Sequence, residues 1–536
     1  MAEQHGIQLY DTTLRDGSQQ EGMTLTVDDK LAVARLLDGV GVDFIEGGWP
    51  GAVPRDTEFF HRATTELNLR HAQLAAFGAT RRPDIAVGQD RQVRALLVAE
   101  TPVITLVGKS HTGHVERALR TNLAENLAMI GSTVRHLALA GRRVFLDAEH
   151  YFDGYRLNPA YALEVVRTAA DAGAEAVVLC DTNGGHLPDE IRRIVTDTLA
   201  ATGAPLGIHC HNDSGCAVAN SIAATDAGAI HVQGTAHGYG ERCGNADLFT
   251  VIANLVLKRD LPLVTGDQLA HLTEAAAAIT EITGVHPSSG APYVGAQAFT
   301  HKAGLHAAAL RVDPDLYQHT QPARVGNAMR TLVSDMGGRS SVELKARELG
   351  HEVAAGSAEV ARAVTRIKQL ESRGYSFESA DASFELLLRE ELATAPAEPP
   401  FTVDTWQVSV VQGPGESARC QASVQAHVDG TPHIATADGD SPLVALDAAL
   451  HRLLDPLFPR LTRLRLTGHH VRVLSTQADS AVTRVLVSYR DGERRWNTVG
   501  VAENAVTAGW QAQIEALRYV LLDEIPDARV VSLAAA

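Results

Sequence analysis

The hydrophobic positions along the chain follow two regimes. Through residue 262, short apolar β-branched runs alternate with longer stretches of helical spacing. The runs are "IQLYD" at Ile7, "VDFIEGG" at Val42, "QLAAFGA" at Gln73, "VITLVGK" at Val103, "RVFLDAE" at Arg143, "AVVLCDT" at Ala176, "LGIHCHND" at Leu206 and "HVQGTAHG" at His231. Continuous apolar strands between helices predict a parallel sheet covered on both faces. Eight such units in roughly 250 residues fit a closed (β/α)8 TIM barrel, which makes the fold class α/β. A doubly wound open sheet would use fewer strands and a glycine-rich first turn, and no G-x-G-x-x-G is present there.

From Leu263 to Leu392 the strand runs disappear. "LAHLTEAAAAITEITGV" and "SAEVARAVTRIKQLESRGYSFESADASFELLLREEL" read as helices, a mainly helical lid or linker region over 263–392. "ATAPAEPP" (393–400) is a proline-rich linker. From 401 to 536 the pattern becomes long alternating strands. Three, near Val403, Ala418 and His433, precede the helix "SPLVALDAALHRLL"; three more, near Leu464, Ala481 and Trp496, precede "AVTAGWQAQIEALRYVLL". This is a C-terminal α+β domain built as βββα used twice. Such a duplicated domain can pair with itself across a two-fold axis or hold a small ligand between its halves.

Composition narrows the partners. The 536 residues are 45% hydrophobic and 21% charged, ordinary for a soluble globular protein. The formal charge is 47 − 64 = −17, which argues against nucleic acid and anionic membrane as partners. No apolar run approaches the ~18 residues of a spanning helix. The start "MAEQHGIQLYD" has no charged-then-apolar signal pattern, so a cytoplasmic location is expected. The five scattered cysteines form no C-x-x-C pair, which predicts reduced thiols; Cys210 and Cys216 read as small core residues.

Candidate chemistry collects where the apolar runs end, which in a barrel is the catalytic rim. The first run is followed by "DTTLRDG". Later ones end in Glu46, in Asp147 and Glu149, in Asp181 and Thr182, and in His209 to Asp213; after the eighth comes "HGYGERCGNADL". His209 and His211 are two apart on a strand, so both point to one face. Asp16 and Asn245 fall at neighbouring strand mouths once the eighth strand closes onto the first. Two nitrogens and two oxygens suit a divalent ion such as Mg2+, Mn2+, Co2+ or Zn2+, with positions open for water or substrate. Singly, each has a plainer role: a turn cap for Asp16, a helix N-cap for Asn245, a structural pair for the histidines. Arg15, beside Asp16, is placed to stabilise a developing oxyanion. Glu149 is a carboxylate aimed at the same centre or an ion-pair partner of Arg143 or Arg156. Thr182 is a hydrogen-bond donor for a substrate carboxylate or a cap. Trp49 reads as loop packing or a pocket wall. Asp11 holds Arg15 or ends the strand.

"DTTLRDG", "HCHND" and "GYGERCGNADL", with "FTHKAGLHAAAL" and "RVGNAMRTLVSDMGGRSSVELKARELG", resemble the DRE-TIM metallolyases, the family of 2-isopropylmalate, homocitrate and citramalate synthases. The resemblance covers nearly the whole chain, including a C-terminal domain like that family's dimeric regulatory module. "IEGGWPG" and "DAEHYFDGYR" most resemble the citramalate-forming branch. The resemblance implies condensation of acetyl-CoA with a 2-oxo acid, pyruvate for that branch, followed by thioester hydrolysis. It implies Asp16, His209, His211 and Asn245 as metal ligands and Arg15 at the ketone or enolate oxygen. Glu149 would belong to the catalytic set, and Thr182 would hold the substrate carboxylate. His306 would be an acid/base helped by Tyr317; His301, in the same motif, has a core or capping role as its alternative. A homodimer and a branched-chain amino-acid effector, isoleucine for that branch, are implied for the C-terminal domain. A larger 2-oxo acid is the rival substrate, and a catalytically silent small-molecule sensor is the rival class.

Overall fold

The structure is a computed structural model that describes residues 6–393, 398–414, 417–475 and 481–521; the centre of the expected linker, 394–397, lies outside them. Eight parallel strands close into a barrel: β1 (Gln8–Asp11), β2 (Phe44–Gly48), β3 (Gln73–Ala79), β4 (Val103–Lys109), β5 (Arg143–Glu149), β6 (Ala176–Asp181), β7 (Leu206–Cys210) and β8 (His231–Gly234). Each matches one of the eight apolar runs. Closure pairs Tyr10 with Gln233 and Asp11 with Gly234, so the ends of β1 and β8 are neighbours.

Helices cover the outside because their apolar faces have nowhere else to go. Pro54–Glu66, for example, buries Phe59 and Phe60 against β2, where Gly47 leaves room: a Cβ there would stand 2.4 Å from the Phe59 ring. The barrel interior is packed, not hollow. Tyr10, Phe44, Ala75, Val103, Phe145 and Ala176 form a closed cluster, and the His231 ring lies 4.6 Å from Phe145 and 5.1 Å from Tyr10. Strand alternation carries the same inward row upward, from Phe145 to Asp147 to Glu149 on β5 and from His209 to His211 beyond β7.

Two compact units divide the chain. The first holds Met1–Phe299 and Thr320–Ala328, the second Thr300–His319 and Met329–Ala536. The helix Leu272–Thr283, expected in the helical region, packs on the barrel helix Val27–Val40 within the first unit. In the second unit, two-residue strands β9 (Thr300–His301) and β10 (Arg330–Thr331) pair in parallel. They are the strands that the apolar pattern of 263–392 does not reveal.

The duplicated C-terminal plan is present. Strands β11 (Thr402–Val411), β12 (Arg419–Val428) and β13 (Thr431–Gly439) form one antiparallel sheet beneath helix Pro442–Leu454. Strands β14 (Arg465–Val473), β15 (Thr483–Asp491) and β16 (Arg494–Ala502) form another beneath helix Ala505–Leu521. Helix Asp381–Leu392 packs on β16 and on Ala505–Leu521. There the buried Ser383 hydroxyl accepts the Val499 N–H at 3.0 Å and donates to Glu515. No helix among the described residues is long and apolar enough to cross a membrane.

Candidate active site

A cavity of about 530 Å3 opens at the C-terminal ends of the barrel strands. Arg15, Asp16, Trp49, Phe77, Lys109, Asp147, Glu149, Cys180, Thr182, His209 and His211 line it.

The first loop builds one wall. Asp11 is fully buried and accepts the Thr13 N–H at 2.8 Å and the Thr13 hydroxyl at 2.9 Å. Thr13 Oγ1 in turn accepts the Ala236 N–H at 2.8 Å. Asp11 therefore locks the turn to the loop after β8; it does not hold Arg15. Burial pushes its carboxyl up to about 7, against the pull of both Thr13 hydrogen bonds.

Glu46 holds Arg15. Its buried carboxylate accepts Arg15 Nε at 2.6 Å through one oxygen and the Tyr10 hydroxyl at 3.0 Å through the other. The guanidinium lies 3.8 Å from the Phe77 ring centroid and reaches Asp16 at 3.1 Å. Burial opposes its charge, but Glu46 and then Asp16 push its pKa above the usual arginine value.

Asp16 precedes the short helix Gly17–Gln19 and makes no side-chain capping bond there. Its Oδ2 instead lies 3.4 Å from His209 Nε2 and 4.0 Å from His211 Nε2. Burial would raise its pKa, yet Arg15, His209, His211 and Asn245 together hold it below the usual value. Burial keeps both imidazoles neutral: His209 is lowered and His211 falls to about 4. Neutral imidazole is the form that binds a metal. The His209 tautomer is fixed from behind. Gln233 donates its amide to Asp147 at 3.0 Å, so its carbonyl oxygen faces His209 Nδ1 at 2.9 Å. Nδ1 then carries the proton and Nε2 presents its lone pair to Asp16's side. Asp147 is itself pushed up to about 8 by burial first and Glu46 second.

Asn245 comes to the same rim. The helix after it runs Leu248–Lys258 and is capped by Asp247, whose side chain accepts from Phe249 N–H at 3.2 Å, so the capping role passes to Asp247. Asn245 bridges to His211 through the backbone, and its amide donates to the Tyr239 carbonyl at 2.9 Å. Gly240 permits this: at φ +153° it has no Cβ, and one would stand 2.3 Å from Asn245 Nδ2. Asn245 Oδ1 and His211 Nδ1 are buried with no hydrogen-bond partner in the structure. Two imidazole nitrogens, a carboxylate and an unpartnered amide oxygen match what a divalent cation takes.

Thr182 lies outside the capped end of the next helix, Pro188–Thr202, whose N-cap is Leu187. Its hydroxyl accepts the His150 N–H at 2.9 Å, leaving its own proton to donate. Glu149 pairs with Lys109, while Arg143 pairs with Glu175 and Arg156 lies near Glu190. Trp49 is a cavity wall, edge-on to Phe77 at 5.3 Å and tied to Gln92 through Nε1 at 2.6 Å. Cys180 also lines the cavity, Cys210 is buried and Cys216 is half-buried; all five cysteines are free. His306 and Tyr317 belong to the second unit, where their rings lie 4.3 Å apart. His301 sits in β9, its ring 6.2 Å from His306.

Sequence reasoning left Glu46, Gln233 and Lys109 without roles. The signal available for Glu46 was a lone carboxylate closing an otherwise apolar strand next to the one that carries Arg15.

A barrel with a carboxylate and paired imidazoles at its mouth defines a class, and comparison places the chain in it. The chain belongs to the HMGL-like family, which it matches over residues 6–279. Residues 293–375 match the homocitrate synthase post-HMGL domain-like family, and 378–521 match the LeuA allosteric (dimerisation) domain. Across 96% of both chains it is 55% identical to the (R)-citramalate synthase of Streptomyces coelicolor. It is 47% identical to that of Synechocystis, again over 96% of each chain. A 2-isopropylmalate synthase of Methylobacterium nodulans is 31% identical over 96% of this chain and 95% of its own.

Proposed function

We propose that the chain is an (R)-citramalate synthase, which condenses acetyl-CoA with pyruvate and hydrolyses the thioester to release citramalate and CoA. The observation that carries this reading is full-length similarity. Five (R)-citramalate synthases are 41–55% identical over 96–97% of the chain, while the 2-isopropylmalate synthase above stands at 31%. The Arg15, Asp16, His209 and His211 constellation supports it as an enzyme and not as a silent sensor.

Asp16, His209, His211 and Asn245 would hold a divalent cation, which when bound supplies Lewis acidity toward the ketone of a 2-oxo acid. Arg15 is already oriented by Glu46, so its remaining N–H donors meet the negative charge that develops on the ketone oxygen at no reorganisation cost. Thr182, with its proton free, donates to the substrate carboxylate. Trp49 and Phe77 wall the cavity and limit what the 2-oxo acid can carry. Glu149 belongs to the catalytic set, and His306, helped by Tyr317, acts as the acid/base; both roles rest on the resemblance of their motifs. The C-terminal domain pairs two chains and takes isoleucine as effector. Removal of residues 401–536 is expected to abolish isoleucine inhibition, and an inhibition that survives would refute the placement.

The direct test is a thiol-release assay of the purified protein with acetyl-CoA and a panel of 2-oxo acids. Pyruvate is expected to give the highest kcat/KM. A preference for 2-oxoisovalerate or 2-oxoglutarate would overturn the reading.

A further inference from the structure

A second group of metal-ligating side chains lies on the same rim, and only Glu149 among them has a part in the scheme above. Glu149 is the last residue of β5, His150 follows it, and His114 comes from helix Thr112–Arg117. One ligand atom from each of the three lies within 4.8 Å of the other two. The His114 and His150 rings are 4.2 Å apart, and the His111 ring is 4.8 Å from His114.

Three features show that this crowding is built. In a continuing strand, His150 would point away from the face that Glu149 uses. It instead adopts φ 55° and ψ 37°, a left-handed conformation that is unfavourable for a residue with a side chain, and this breaks the alternation. Its N–H bond to Thr182 holds the turn in place. His150 Nδ1 is also buried with no hydrogen-bond partner; the nearest carboxylate, Asp153, stands 3.8 Å away. His111 Nδ1 is likewise buried and unpartnered. Finally, there is room: a hollow of about 460 Å3 lies against His111, His114, His150, Asp153, Arg156 and Asn183, and Glu149 lines the cavity on the other side.

We propose that His114, His150 and Glu149 form a second cation site, for a divalent transition metal of the zinc class. Two imidazole nitrogens and one carboxylate oxygen, with a position open toward the hollow, suit Zn2+, Co2+ or Ni2+. Mg2+ and Ca2+ prefer oxygen ligands throughout and are not expected to compete. The Lys109 ammonium now neutralises Glu149. A bound cation takes over that carboxylate and displaces Lys109, so occupancy of this site is felt in the cavity that Lys109 and Glu149 both line. The proposal does not depend on which reaction the cavity performs.

Isothermal titration of the metal-stripped full chain with Zn2+ tests it. The wild type is expected to take up two equivalents, His209→Ala one and His114→Ala one. Lys109→Ala removes the competing ammonium and is expected to tighten the second equivalent roughly tenfold, a gain that misfolding cannot produce. With Co2+ as probe, one of two visible absorption bands should be lost in His114→Asn and retained in His209→Ala. Two equivalents in His114→Ala, or unchanged or weaker Zn2+ binding in Lys109→Ala, would overturn the assignment.

Discussion

The floor and the mouth of the barrel are built from the same strands and differ in almost everything else. At the floor, Tyr10, Phe44 and Phe145 pack around His231, whose pKa burial drives down to about 3, so the ring is neutral. At the mouth, four residues further along β5 and two further along β2, the inward positions are Glu149 and Glu46, and charges hold one another in place. The floor is held by dispersion and area, which tolerate volume-conserving exchanges but not lost volume. The mouth carries buried and half-buried charges, Arg15 with Glu46 and Lys109 with Glu149, and each has its partner. Stability and chemistry are therefore separable along a single strand, and substitutions can test how cleanly.

The largest effect is expected for Arg15→Ala. Loss of a donor aimed at a developing oxyanion costs about 10^3-fold in kcat. It also leaves Glu46 buried without its cation, so unfolding by urea should come earlier as well. Adding Glu46→Gln removes the stranded charge. Stability is expected to recover in the double variant while turnover stays at the level of Arg15→Ala. If turnover recovered with stability, Arg15 would be a structural residue and the division between floor and mouth would fail.

At the floor, Phe145→Ala is expected to cost about 3–5 kcal/mol in unfolding free energy, as other buried aromatic deletions do. The zinc affinity of the folded protein should stay within about threefold of wild type, because Phe145 lies one inward step below Asp147 and touches no ligand. A larger loss of metal affinity would show that the two layers are not separable.

Much of this arrangement is legible before any coordinates. Eight apolar runs predict eight strands because a strand buried on both faces must be apolar throughout. The H-x-H pair is legible because two residues is the strand period. The two-fold βββα pattern is legible because each sheet has one wet face, and the match of 378–521 to the LeuA domain falls on it. What stays hidden depends on neighbours distant in sequence. Glu46 becomes Arg15's anchor only once β1 lies beside β2, 31 residues apart in the chain. Gln233 looks like any strand residue until β8 places it between His209 and Asp147. Strands β9 and β10 are too short to carry a period at all. Asn245 and Asp247 are equally good caps on paper, and only the position of the first helical turn chooses Asp247.

Gln233 tests the layer between floor and mouth. Gln233→Leu keeps the volume and removes the acceptor for His209 Nδ1–H, so His209 is free to flip or change tautomer. Metal affinity at the Asp16 site is expected to fall about 10–100-fold, the usual cost of losing a group that orients a ligand histidine. Gln233→Glu keeps an acceptor and should recover most of the affinity. Titration of the metal-stripped protein checks both. Equal losses in the two variants would mean that packing, and not the hydrogen bond, positions His209.

The smallest effect separates floor from mouth within one side chain. The Tyr10 ring belongs to the floor cluster, while its hydroxyl donates to Glu46 at 3.0 Å and meets Thr105 Oγ1 at 2.6 Å. Tyr10→Phe leaves the ring and removes only the hydroxyl. Thr105 then loses one partner, and Glu46 keeps Arg15 on its other oxygen. The expected cost is about 1 kcal/mol of stability, the ordinary net value of a buried hydrogen bond. Because Arg15 Nε remains bound, kcat should change less than about threefold, well short of the Arg15→Ala loss. A fall in kcat of tenfold or more, with stability little changed, would place the Tyr10 hydroxyl among the groups that aim Arg15 and move the boundary between floor and mouth down to β1.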